Sequence, residues 1–145
     1  MSAASAARAW PGIRQLLHLA IGRLHAGRGR HHQALEELSA AERLQSQLAG
    51  SHALASQMTG CMLTTQARLG MLDQAHARLA ALTDEQANSG EIRNARAVIC
   101  LTKGDPAEAL GALADVLGGT VLVIGDVTVV ETHLLAALAH CALGD

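Results

Sequence analysis

Four glycines constrain this chain more than any other feature. Gly29, Gly70, Gly104 and Gly144 each close an apolar, helix-patterned stretch, and they stand 41, 34 and 40 residues apart. After the first three, the same residue sizes recur in register. Ala follows five positions later (Ala34, Ala75, Ala109), Leu nine positions later (Leu38, Leu79, Leu113), and Ala41, Leu82 and Val116 twelve positions later. Offsets of five, nine and twelve fall on one stripe of an α-helix. A small residue there allows close helix approach, and the large Leu one turn on fills the space between crossed helices. Glycine at the turn takes a backbone conformation that a side chain opposes. The recurring unit is therefore helix, glycine turn, helix, and a repeat of this period must be read before any single residue.

Composition agrees with helices. Ala and Leu together supply 52 of 145 residues, the two types that fit a helix with least strain. The spacing predicts first helices near 13–26, 52–68, 91–102 and 128–143, and second helices near 31–48, 73–87 and 106–117. Asp105, Pro106 and Glu108 form a strong helix start, and Thr128 with Glu131 reads as a capping box. The clusters 49–51 and 88–90 separate units. The expected architecture is all-α: stacked antiparallel helical hairpins of about seven helices, with the last hairpin incomplete. Residues 1–12 are an N-terminal extension, and 13–145 form one helical-repeat domain with units near 13–48, 52–87, 91–117 and 128–145.

One segment resists this pattern. Six of the seven valines lie between 116 and 130, and Val121 to Val127 would on propensity alone form two strands around a turn. An isolated hairpin has no sheet to join, so an apolar extended connection across the helices is the preferred reading.

Charge and chemistry exclude several roles. The net charge is −2, so no overall positive field draws nucleic acid or an anionic membrane. The charge is uneven, however: residues 1–35 carry Arg8, Arg14, Arg23, Arg28 and Arg30 and no acid, whereas 98–145 carry Lys103 against six acids. The second helices hold no basic cluster, and those near 73–87 and 106–117 are acidic, which disfavours direct DNA contact. Cys61, Cys100 and Cys141 are about forty residues apart, without a close pair. That spacing argues against a disulfide framework or zinc ribbon and for a reducing, cytoplasmic location. The apolar stretch Ile13–Ile21 is broken by Arg14, Gln15 and His18, so neither a signal segment nor a membrane span is expected.

No reaction is announced either. His18 and His25, and again His133 and His140, are seven residues apart, which is too far for one metal ion on a single helix; interhelical structural roles fit them better. Adjacent His140 and Cys141 point about 100° apart and make no nucleophile–base pair. Glu36, Glu37, Glu42 and Arg43 read as the wet side of one helix. No catalytic, cofactor or metal residue is expected, and the chain is read as non-catalytic. The remaining opportunity is recognition by the inner, first-helix surface of a curved array. Polar residues expected there are Arg23, Gln57, Thr64, Arg68, Glu91, Asn94 and Thr102.

Glycine at 29, 70 and 104, with alanine and leucine in step and Gly22 as the small residue of a first helix, resembles the core of tetratricopeptide-type repeats. A closer likeness is to the helical-repeat region of the large LuxR-type, MalT-like transcriptional regulators of high-GC bacteria. It rests on the phrases 29–35 (GRHHQAL), 103–110 (KGDPAEAL) and 131–139 (ETHLLAALA) and covers roughly residues 20–145. The family's nucleotide-binding module and C-terminal helix-turn-helix have no counterpart here, and no P-loop string occurs.

The resemblance implies an interaction or effector-sensing module. The alternative is a stand-alone repeat adaptor for protein–protein contact, and the third reading is a small helical enzyme. Between Thr132 and Leu143 there is no charged side chain, although a terminal repeat needs a polar outer face. A protein partner, or self-association through the last helix (Thr128 to Leu143), is therefore expected, with a small effector as a further ligand and no membrane contact.

Overall fold

The computed structural model describes residues 3–48, 54–123 and 126–145. These contain eight helices: α1 (Ala3–Gly27), α2 (His31–Gln45), α3 (Ala55–Arg68), α4 (Leu72–Ala80), α5 (Asp84–Ala87), α6 (Gly90–Lys103), α7 (Pro106–Leu117) and α8 (Asp126–Leu143). No strand occurs among the described residues, so the chain is all-α. Helix α1 packs on α2, α2 on α3, α3 on α4 and α6, α6 on α7 and α8, and α7 on α8.

The four glycines occupy one conformation. Gly29, Gly70, Gly104 and Gly144 have φ of 71°, 76°, 80° and 82°, the left-handed region that L side chains oppose. Each closes its helix with the same pair of hydrogen bonds. The glycine N–H donates three residues back, to Ala26, Ala67, Leu101 and Cys141. The next N–H donates to the carbonyl five residues before it, on His25, Gln66, Cys100 and His140. This double closure satisfies carbonyls left open at a helix end.

The stripe predicted from the spacing is the packed one. Ala34, Ala75 and Ala109 are fully buried, as are Leu38 and Leu113, and Leu79 packs against the core from its edge. A Cβ on Gly22 would lie 3.0 Å from Leu38 Cγ, so its absence lets α1 and α2 close on each other. One apolar cluster joins α3, α4, α6, α7 and α8 around Leu63, Ile92, Ile99 and Leu113. A smaller one joins α1, α2 and α3 around Leu19, Leu38, Met58 and Met62.

Several boundaries differ from the sequence expectation. The first helix begins at Ala3 rather than near 13 and runs through Pro11. A proline inside a helix removes one backbone bond and costs about 3 kcal/mol, but the five alanines between positions 3 and 9 favour the helical state. The segment 73–87, expected as one helix, is two. Thr83 has extended backbone (φ −69°, ψ 160°) and forms a full capping box with Gln86, which starts α5. Eight helices therefore replace the expected seven.

Thr128 and Glu131 do not cap: α8 already begins at Asp126, and Thr128 lies inside it. Ile124 and Gly125, within the apolar connection, lie outside the described residues. Its neighbours Leu122 and Val123 rest against the start of α6, where a Cβ on Gly90 would come within 2.6 Å of Val123 Cγ2. Val127 belongs to α8. The supposed wet face of α2 ties helices together instead, since Glu37 Oε2 lies 2.6 Å from His18 Nδ1 on α1 and Glu42 binds Arg78 on α4. His133 and His140, expected between helices, are exposed on α8.

Gly104→Ala should cost about 1–2 kcal/mol through its left-handed φ. Gly111→Ala should stabilise by roughly 0.5–1 kcal/mol, because Gly111 sits inside α7 with open space around it. Urea denaturation of the two variants reads the opposite signs; equal effects would contradict the turn assignment.

Candidate functional site

Helices α1, α3, α6 and α8 together form one groove. Among the described residues its walls come from these four helices, and its volume is about 460 Å³. Its floor exists because α3 and α6 touch at a glycine: a Cβ on Gly60 would stand 3.0 Å from the Glu91 carbonyl oxygen. Cys61 follows on the same turn, half-buried between the helices. Arg23 and Ala26 approach from the end of α1, Gln57, Thr64 and Arg68 rise along α3, and Glu91 and Asn94 come from the first turns of α6. Helix α8 adds Val127, Val130, Glu131 and Leu134.

Six of the seven residues expected on an inner surface, Arg23, Gln57, Thr64, Arg68, Glu91 and Asn94, line this groove. Thr102 does not. It sits at the C-terminal end of α6, and its hydroxyl donates to the Val98 carbonyl at 2.8 Å, whereas the groove crosses only the N-terminal half of that helix.

The six differ in what they can offer. Asn94 is buried and spent: its Nδ2 donates to the Thr128 carbonyl at 3.1 Å, and its Oδ1 accepts from the Thr132 hydroxyl at 2.9 Å. That exchange fastens the start of α8 to α6. Glu91 is buried beside the N-terminus of α6, where the helix dipole favours a carboxylate. Arg23 and Arg68 are exposed, and Gln57 and Thr64 are half-buried at the surface. The groove thus presents cations from α1 and α3 opposite carboxylates of α6 and α8, with an apolar lip from Val127, Val130 and Leu134.

Glu131, which the sequence pattern places in a capping box, lines the groove instead. It stands thirteen residues before Gly144, as Gln57 and Glu91 stand thirteen before Gly70 and Gly104. The register therefore puts one oxygen-bearing side chain on each of three successive first helices. Cys61, by contrast, carried no sign in the sequence that it would meet a groove.

Burial pushes the Cys61 thiol up to about 11; nearby Arg23 opposes this, and Glu131 and Glu91 add to it. At neutral pH the sulfur is protonated, so it is a poor nucleophile. No histidine lines the groove, and no group of three or more metal-ligating side chains occurs among the described residues. The lining can offer charge, hydrogen bonds and apolar contact to a bound molecule. No helix among the described residues is long and apolar enough to cross a membrane.

Comparison with known proteins finds no matching family model, no matching curated protein and no matching solved structure.

Two predictions follow from the chemistry of the lining. Alkylation at pH 8 should modify exposed Cys141 and spare Cys61, with Cys61 labelling rising about tenfold per pH unit until near 11; a fast Cys61 at pH 8, read by peptide mass, would contradict the desolvated floor. Separately, Thr132→Val should cost about 1–3 kcal/mol by stranding the Asn94 amide oxygen. Thr65→Val should be neutral or stabilising, because the buried Thr65 hydroxyl has no hydrogen-bond partner among the described residues.

Proposed function

We propose that this chain is a non-catalytic helical-repeat interaction module whose groove binds a peptide-like or small effector ligand. In this reading the pairs α1/α2, α3/α4 and α6/α7, with α8, form a stack of tetratricopeptide-like hairpins. The observation that carries it is the origin of the groove. All of its lining among the described residues comes from first helices, and each of those helices closes at the same left-handed glycine. A surface built this way is continuous across repeats and suits recognition of an extended ligand. Opposed Arg and Glu side chains above an apolar lip match the mixed chemistry of a peptide, and the neutral thiol on the floor fits binding rather than turnover.

The likeness of the phrases 29–35, 103–110 and 131–139 to LuxR-type, MalT-like regulators extends the proposal. Occupation of the groove would bias the tilt between hairpins, and a fused or associated DNA-binding part would respond. The same groove also serves a stand-alone adaptor. An adjoining reading frame encoding a helix-turn-helix separates the two, because only the regulator needs one. Three free cysteines accord with work in a reducing cytoplasm. The apolar outer side of α8, with Leu134 and Leu138 exposed, is proposed as a contact for a protein partner.

Display selection of short peptides on the whole protein tests the groove. Selected peptides should protect Cys61 from alkylation at high pH, and Gln57→Ala, Arg68→Ala or Glu131→Ala should each weaken binding by about tenfold, or 1.4 kcal/mol. Binders indifferent to all three changes, with Cys61 still open, would remove the groove from this role. The chain should show no salt-sensitive retention of duplex DNA, since α7 is acidic and Arg78 of α4 is tied to Glu42.

A further inference from the structure

We infer that the chain stacks end to end on itself, the outer face of α1 in one copy docking against the outer face of α8 in another. The inference rests on the stacked-hairpin reading above but not on the groove's ligand.

Its basis is a contact that recurs between successive first helices. The residue ten before each glycine faces forward, onto the residues twelve or thirteen before the next glycine. Leu19 of α1 clusters with Met58 of α3; Gly60 of α3 abuts the Glu91 backbone of α6; Asn94 of α6 bonds Thr132 of α8. Three different chemistries, a shared apolar cluster, a glycine contact and a hydrogen bond, join successive first helices at this place.

The two ends of the stack hold the unused halves of this slot. In the backward-facing row, Met58, Ile92 and Thr132 are 5%, 1% and 1% exposed, but their counterpart Leu17 on α1 is 56% exposed. Two turns further on, Ile99 and Ala139 are buried while Leu24 is 52% exposed. In the forward-facing row, Leu19 and Asn94 are 4% and 3% exposed, whereas Leu134 on α8 is 58% exposed. Each end therefore presents large apolar side chains at the positions that every internal contact buries, and the two ends are complementary halves rather than copies of one surface.

Charge favours the same pairing. Arg14 and Arg23 flank the α1 stripe at about 100° per residue, on a helix that itself carries no acid, and Glu131 lies one turn from Leu134 on α8. A second copy thus brings a basic apolar face to an acidic apolar one. Contact between unlike faces leaves each assembly with one free face of each kind, so growth does not stop at a dimer.

Light scattering and sedimentation of the full chain over a dilution series test this. The mass should rise with concentration past that of a dimer. Leu17→Glu and Leu134→Glu, both on exposed positions, should each keep wild-type helicity by circular dichroism and run as monomers. Mixed in equal amounts they should form a 1:1 heterodimer, because each retains the face the other has lost. Leu24→Glu with Leu138→Glu is the second pair, used if helicity falls in the first.

A wild-type chain that is monomeric at every concentration overturns the inference. So does Leu17→Glu associating as the wild type does, which would mean two α8 faces meet without α1. Variants that stay monomeric when mixed overturn it too. Leu17 and Leu24 lie outside the groove, so loss of assembly with peptide binding intact leaves the groove reading standing, and failure of the groove leaves the mass series unaffected.

Discussion

The left-handed backbone at Gly29, Gly70, Gly104 and Gly144 is the constraint from which the other features descend. A helix that ends in this conformation has its last carbonyls closed by two reversed hydrogen bonds, and the chain is turned back within two residues. Because the closure is the same in the first three units, the next helix always begins two residues after the glycine. Its alanine five positions on therefore always meets the preceding helix. The turn thus sets which stripe of the second helix faces the first.

That fixed register converts a local rule into a surface. The position ten before the glycine faces the next first helix in the first three units, so a small residue there, as at Gly60, draws two helices together and leaves a floor. A polar residue there, as at Asn94, instead holds the next helix by hydrogen bonds. The groove is the outcome of both: a close approach on one side and a bonded helix on the other. Its desolvated thiol and its facing charges come from this spacing and need no special local sequence. The same register explains why the exposed Leu17, Leu24 and Leu134 are not scattered surface residues but occupy positions that are buried elsewhere in the chain.

What could be read in advance had a short-range cause. Asp105-Pro106-Glu108 started α7 as expected, with the Asp105 side chain accepting from the Glu108 N–H at 3.0 Å, because a cap uses only neighbouring atoms. Thr83 and Gln86 carry the same kind of local signal, and their capping box starts α5 inside the stretch that periodicity alone reads as one helix. Thr128 and Glu131 carried it too and misled, since the helix had already begun at Asp126. Glu37 and Glu42 looked like a solvated face, because their partners His18 and Arg78 lie on other helices and no local pattern announces them.

Helical content, the four turns and the core stripe of the second helices were thus written in the order of residues, because each depends on contacts within about one turn or on a period that repeats. The inner polar residues were legible as a set, since they share a helix face. Their separation into distinct roles was not: Asn94 tethering α8, Thr102 turned to its own backbone, Glu131 joining the groove and Cys61 held neutral all depend on how far neighbouring helices slide past one another. That offset is the sum of many packing contacts over distant parts of the chain, and it is settled only when the helices are brought together.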